Sequence, residues 1–345
     1  MPTIRCVCAL ATIVVASAVV LGAQARIERP AWAYAIPPPG QPPGPPQDDT
    51  KVIHIPGNRL TFTMPQLRDP FGPADWFPES HPRMPDVVAR GRRVPATPPI
   101  PGGRFQAAGE VAARGAVVAC AVCHYPNGQG RPENAGVSGL PEAYFIQQLV
   151  DFKNGMRKSA EPRKANTNVM AAIAKALTDD EMKAAAAYYG SIPFKPWVRI
   201  IETDTVPRTR IDGGIFFRLD GEDTEPLGMR IVETPVDGEL TDAKDPRSGF
   251  IAYVPEGSLE HGEMLVTGKT GTTSACQNCH GAGLKGYGPI PPLAGRSPSY
   301  IARQLYDIQQ SARRGMNTGM MKRIVAQMTV ADITAIAAYT ASLTP

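Results

Sequence analysis

The sequence predicts a mainly α fold: two helical domains built to one plan, joined by an irregular, partly β connecting segment. Three observations carry this prediction. First, the motif C-x-x-C-H occurs twice, as Cys120-Ala121-Val122-Cys123-His124 and as Cys276-Gln277-Asn278-Cys279-His280. Second, each copy is followed by the same succession of residues. Tyr144 lies 20 residues after His124 and Tyr300 lies 20 after His280; Gln148-Leu149 matches Gln304-Leu305, and Arg157 matches Arg313. Met170 stands eight residues before Thr178 and Met321 eight before Thr329, while Tyr188 and Tyr339 each follow those methionines by 18. Between the arginine and the methionine the first copy is longer by five residues. Third, helix-start signals recur at matching places, so a shared ancestor for the two regions follows.

From the N-terminus, Arg5 precedes an uncharged apolar run from Cys6 to Gly22, and Ala23-Gln24-Ala25 is an A-x-A cleavage pattern. Residues 1–25 therefore read as a signal peptide. Ala33-Tyr34-Ala35 is a second candidate, which would move cleavage to residue 35. An uncleaved membrane anchor is the alternative, although 17 apolar residues fall short of the roughly 20 that a span needs. Residues 36–100 form a Pro-rich linker and an irregular N-terminal extension, expected to lie on the first domain through Phe71, Trp76 and Phe77. His54 and His81 in this stretch read as surface or turn residues.

The first helical domain spans 101–192. Pro85–Gly91 and Phe105–Gly115 both qualify as the helix preceding its motif. Glu142–Asn154 is helical, with Phe145, Leu149 and Phe152 on one face. Thr178-Asp179-Asp180-Glu181 is a capping-box start for a helix running to about Ser191. The connecting segment, 193–256, carries strand patterns at Val198–Thr203 and Gly214–Leu219, with turns at Gly221-Glu222-Asp223 and Asp237-Gly238. The second domain spans 257–345. Ser297 as N-cap and Pro298 in the first turn open a helix carrying Ile301, Leu305 and Ile308. Thr329 with Asp332 repeats the capping box, and the last helix runs to about Ser342.

The chemistry resides in the repeated motif. Two thiols on one side of a turn suit addition to the two vinyl groups of a porphyrin, and the adjacent imidazole then lies under the ring, positioned to ligate iron. A lone C-x-x-C is also half a zinc site or a thiol redox pair. Two copies, each with its histidine, favour two covalently bound haems c. Of six cysteines, four lie in the motifs, and the other two, Cys6 and Cys8, fall in the export segment. Removal of that segment leaves no thiol for a structural disulfide. A net charge of +4 with 20% charged residues, and no basic run interleaved with aromatics, gives no case for nucleic-acid binding. A thioether opposite the histidine favours ferrous iron and suits electron transfer. Repeat equivalence singles out Met170 and Met321 from 12 methionines, with Met320 the neighbouring alternative to Met321. Met156 and Met316 read as packing or surface residues, Met182 and Met328 as core.

On these residues each half resembles a class I cytochrome c: short helix, C-x-x-C-H, loop, helix, methionine loop, long last helix with an aromatic. The whole resembles the tandem dihaem c-type cytochromes of the bacterial periplasm, over about residues 104–192 and 257–343. The resemblance implies two class I cytochrome c domains. It assigns thioether bonds to Cys120, Cys123, Cys276 and Cys279, proximal ligation to His124 and His280, and distal ligation to Met170 and Met321. The family's Pro-x-Leu after the motif is matched by Pro291-Pro292-Leu293, whereas the first copy has Ala135-Gly136-Val137. The function expected is a periplasmic electron carrier between a dehydrogenase or quinol-oxidising complex and a terminal oxidase or reductase, meeting the membrane only through partners or an uncleaved anchor. A dedicated haem subunit of a periplasmic dehydrogenase and a dihaem peroxidase are the alternatives. The polar Arg131-Pro132-Glu133-Asn134 loop, set against the apolar Pro289–Leu293 wall, predicts a wetter site and a lower potential at His124.

Overall fold

The computed structural model describes residues 29–42, 44, 50, 52–54, 61–63, 66, 84–89 and 117–345, the last range without 243–244, 246 and 272–273. The export segment, Cys6, Cys8, Phe71, Trp76, Phe77, His81 and the candidate helix Phe105–Gly115 lie outside the described residues. His54 belongs to a short strand. In order, the helices are α1 Ala31–Tyr34, α2 Asp86–Ala89, α3 Cys120–His124, α4 Glu142–Lys153, α5 Ala165–Ala176, α6 Asp179–Gly190, α7 Gly238–Asp242, α8 Ser258–Val266, α9 Gln277–His280, α10 Pro298–Gln309, α11 Thr318–Val325 and α12 Val330–Ser342. The strands are β1 Val52–His54, β2 Thr61–Thr63, β3 Val198–Glu202, β4 Thr205–Pro207, β5 Thr209–Asp212, β6 Ile215–Arg218, β7 Thr224–Pro226, β8 Val232–Pro235 and β9 Phe250–Val254. Among the described residues no single helix is long and apolar enough to cross a membrane.

In the first domain α4 packs against α5 and α6. Phe145, Leu149 and Phe152, spaced three and four apart on α4, all point into the core. Each such burial contributes about 1.5–3 kcal/mol. The capping box at α6 is complete: Thr178 Oγ1 accepts from the Glu181 amide, and Glu181 Oε2 accepts from the Thr178 amide at 2.8 Å. Its inward face combines Met182 with Ala185 and Ala186, small residues that admit close approach, and then Tyr188 and Tyr189.

The second domain repeats the plan. Ser297 Oγ accepts from the Tyr300 amide, and Pro298 occupies the first turn of α10. Thr329 and Asp332 close the same box at α12. Helix α8 crosses α12 at Gly262, where an added Cβ would stand 2.2 Å from the Ala335 carbonyl oxygen. Only glycine allows that crossing. Met170 and Met321 do not sit in loops: each is carried on a helix of its own, α5 and α11.

The connecting segment holds a three-stranded sheet in the order β3-β9-β8, with β3 parallel and β8 antiparallel to β9, together with the two-stranded pairs β4–β7 and β5–β6. Ile231, Ala252 and Val254 share a core with the second domain. Trp197 meets both Phe250 and Tyr125 edge-on, which ties the sheet to the first domain as well. Asp237-Gly238 is not a free turn, because Asp237 Oδ1 accepts from the Leu240 amide at 3.0 Å and starts α7. The proline-rich stretch is likewise anchored where it is described: Gln41 exchanges two hydrogen bonds with the backbone of Ile211.

The two domains meet at a seam made from equivalent residues. Arg157 and Arg313 face each other in an antiparallel bridge. Arg157 donates to Gln148 of its own domain and to Tyr300 and Gln304 of the other, at 2.9–3.1 Å. Arg313 mirrors this, donating to Gln304 of its own domain and to Tyr144 and Gln148 of the other, at 2.7–2.9 Å. The arm containing α1 runs into the same region. Tyr34 is fully buried and donates to Asp307 at 2.7 Å, its carbonyl accepts from Lys164, and the Ala33 carbonyl accepts from Arg303 at 2.6 Å.

Candidate functional site

Each C-x-x-C-H motif folds into a single helical turn, α3 or α9, that places its histidine beside a returning loop. The return is the same in both copies. The amides of Gly130 and Gly286 donate to the carbonyls of His124 and His280. The amides of Val137 and Leu293 donate to Gly128 and Leu284. This closure brings one backbone carbonyl onto each imidazole: His124 Nδ1 lies 2.8 Å from the Ala135 oxygen, and His280 Nδ1 lies 2.9 Å from the Pro291 oxygen, both 11 residues on. An Nδ1–H donated to a carbonyl fixes the tautomer and ring plane, leaving the Nε2 lone pair for a metal. Ala135 serves as well as Pro291 because the acceptor is backbone. Burial pushes both histidines below their ordinary range, which keeps the imidazoles neutral.

The shifts at the first cysteine of each motif run opposite to those of a redox pair. Burial, and then the neighbouring Cys123, push Cys120 up to about 12, and burial likewise raises Cys276. A reactive C-x-x-C requires the opposite shift. No group of three or more His, Cys, Asp or Glu arranged to hold a metal ion occurs among the described residues.

In the first domain these residues line a cavity of about 1270 Å³, counting its open mouth. Cys120, Cys123 and His124 form one wall, Met170 and Ile173 line it from α5, and Phe145 and Leu149 line it from α4. Most of its lining is apolar; the polar groups include Tyr144, Gln148 and Arg157, with Tyr300, Arg303 and Gln304 contributed by the second domain. An apolar disc with carboxylates along one edge requires such a chamber, with cations and hydroxyls in its lining. The residues present fit haem. In the second domain Cys276, Leu293, Tyr300 and Met321 pack against one core, whereas Met320 is 57% exposed.

The expectation of a wet first loop does not hold. Arg131 and Glu133 form a buried ion pair at 2.6 Å. The connecting segment closes over them: Gln129 donates to the Lys195 carbonyl, Trp197 Nε1 to the Gly130 carbonyl, and Tyr125 to the Thr241 carbonyl, at 2.8–3.0 Å. Sequence reasoning missed this cover because Trp197 and Thr241 lie far along the chain and match neither repeat.

Comparison with known proteins agrees with this construction. Residues 111–192 match the cytochrome c family, and residues 263–339 match the family of cytochrome c oxidase, cbb3-type, subunit III. The chain is 26% identical over 232 residues to a thiosulfate dehydrogenase electron acceptor of Stutzerimonas stutzeri, covering 66% of this chain and 80% of that one. It is 26% identical over 244 residues to cytochrome c4 of Azotobacter vinelandii, covering 69% and 90%. A solved cytochrome c4 of Acidithiobacillus ferrooxidans is 24% identical and overlays with a TM-score of 0.42, covering 65% of this chain and 98% of that one. Two cytochrome c domains in one chain, each with its own C-x-x-C-H motif, make the protein a tandem dihaem class I c-type cytochrome: an electron carrier with two covalently bound haems c, and not an enzyme.

Proposed function

We propose that the protein is exported to the periplasm and passes single electrons between a dehydrogenase or quinol-oxidising complex and a terminal oxidase or reductase. Cys120 and Cys123 would hold one haem covalently, with His124 and Met170 as its iron ligands; Cys276 and Cys279 would hold the other, with His280 and Met321. Bound there, each haem supplies a one-electron ferric/ferrous couple. The observation that carries this reading is the matched pair of imidazoles, each fixed through Nδ1 to a loop carbonyl. In the first domain Met170 lines the same chamber as the histidine. The packed position of Met321 and the exposed position of Met320 support Met321 as the second thioether. Burial of Ala33 and Tyr34 supports cleavage after Ala25, since cleavage after Ala35 would remove the arm that enters the seam.

A second reading, a dedicated haem subunit of a periplasmic dehydrogenase, is favoured by the relative named as a thiosulfate dehydrogenase electron acceptor. Co-purification with a dehydrogenase separates it from a free shuttle. The test of the ligand set is spectroscopic. Met170→Ala and Met321→Ala should each remove about half of the weak sulfur-to-iron charge-transfer band of the oxidised protein and lower one midpoint potential, with two haem masses retained on the denatured chain. Loss of the band in Met320→Ala, with Met321→Ala intact, would overturn the assignment of the second site.

A further inference from the structure

We infer that Arg303, a side chain of the second domain, is a positioning residue for His124 of the first, while its counterpart Gln147 plays no such part toward His280. The inference rests on the haem placement proposed above and adds what steadies one of the two histidines.

The connection runs through the loop that carries the Ala135 carbonyl. Residues 131–134 form a tight turn, closed by the Asn134 amide on the Arg131 carbonyl at 2.9 Å. Pro132 lies inside the turn, so its carbonyl takes no part in that closure and calls for another donor. Arg303 supplies it: Nη2 donates to the Pro132 oxygen at 2.6 Å, and Nη1 donates to the Ala33 oxygen of the arm at 2.6 Å. Pro132 is buried and Arg303 is 5% exposed, so bulk water does not compete for these bonds. A guanidinium suits the place because two nitrogens of one rigid plane reach two carbonyls, whereas lysine offers a single nitrogen on a shorter stem. Three residues beyond Pro132, the Ala135 oxygen meets His124 Nδ1. From its own domain the loop is pinned by Asn134, which donates to the Cys123 carbonyl at 3.2 Å and accepts from Asn166 at 3.1 Å. Arg303 braces the same loop from the other side of the seam.

The second copy lacks this brace, position for position. Arg303 and Gln147 each stand one residue before the matched Gln-Leu pair. Gln147 Nε2 donates to Asp151 of its own helix at 2.8 Å. The counterpart of Pro132, eight residues after the histidine, is Gly288. It is exposed, and an added Cβ there would meet nothing within 4 Å. The consequence is electronic. An imidazole whose Nδ1–H is held firmly on a carbonyl is a stronger donor through Nε2 and favours ferric iron. The contact between the domains therefore tunes the first histidine and leaves the second to its own loop.

The test follows the Nδ1–H of each histidine by NMR in the fully reduced dihaem protein, made with nitrogen-labelled histidine. Exchange of the His124 proton with solvent should quicken by about tenfold or more in Arg303→Met and in Arg303→Lys, while that of His280 changes by less than about twofold. Arg303→Lys keeps the charge facing the chamber and loses the brace, so it should also raise the midpoint potential of the haem at His124. Gln147→Met, the mirror substitution, should leave both protons within about twofold of the parent. If Arg303→Met does not accumulate with two haems, Arg303→Lys decides alone. Parent-like exchange in Arg303→Lys, or a midpoint there that is unchanged or lower, would overturn the inference, because charge would then suffice. Equal acceleration at both histidines, the mark of a loosened seam, would overturn it too, as would faster exchange at His280 in Gln147→Met. If the His124 ring of the parent shows no shift from bound iron, the reading on which the inference rests fails instead.

Discussion

Glu233 shows how one buried carboxyl can set the pH response of the molecule. It lies on β8 with no exposed surface, and accepts from Ser297 Oγ at 2.7 Å and from the Ser299 amide at the start of α10. Burial outweighs these bonds and raises its pKa from 4.5 to about 7. The folded state therefore holds a proton that the unfolded chain has released. This group's stabilising contribution is complete below pH 4.5 and is lost as pH rises to about 7, a change on the order of 3 kcal/mol. Denaturant titrations of Glu233→Gln should show a flatter pH dependence across that window and greater stability than the parent at pH 8. An unchanged slope would refute the assignment. The sequence does not reveal this residue, because its burial depends on strands that match neither repeat. The two histidines are different. C-x-x-C-H marks His124 and His280 by itself, whereas the groups that orient them are backbone carbonyls: Pro-x-Leu points to the one at Pro291, but Ala135, at the aligned place, carries no side-chain signal.

At the scale of elements, the parts legible in the sequence are those governed by local rules. The capping boxes at Thr178 and Thr329, the Ser-Pro start of α10 and the apolar face of α4 all rest on spacings of three or four residues. The pair inside each motif, Ala-Val against Gln-Asn, separates the covered turn from the exposed one only once α2 is seen to pack on α3. The connecting sheet was only partly readable, since strands of three to five residues give too few alternations to fix a register, and β3 pairs with β9 across about 50 residues. The crossing of α8 and α12 could not be read at all, because Gly262 has no neighbour in sequence that announces Ala335. Gly262→Ala forces a methyl onto a backbone oxygen and should cost about 1–3 kcal/mol, seen as a lower melting temperature. Ala335→Gly would not relieve it, because the clash is with the Ala335 carbonyl rather than its side chain.

Across the whole molecule, the cover over the first motif predicts the opposite order of potentials from the one its polar loop suggests. Ferric iron carries the additional charge, so the site enclosed by α2, Trp197 and the neutralised Arg131–Glu133 pair favours the ferrous form. A redox titration, with each haem assigned through Met170→Ala and Met321→Ala, should place the higher midpoint at His124. A lower midpoint there would refute the burial argument. The seam has a consequence of another kind. Tyr144, Gln148 and Arg157 meet Tyr300, Gln304 and Arg313 so that each set bonds the other, the reciprocity of an isologous dimer. In a dimer of identical domains every substitution at such a contact would count twice. Here both halves lie on one chain, so either can change alone, and they do differ: α2 and the connecting segment cover the first motif, while Gln277 and Asn278 of the second are exposed.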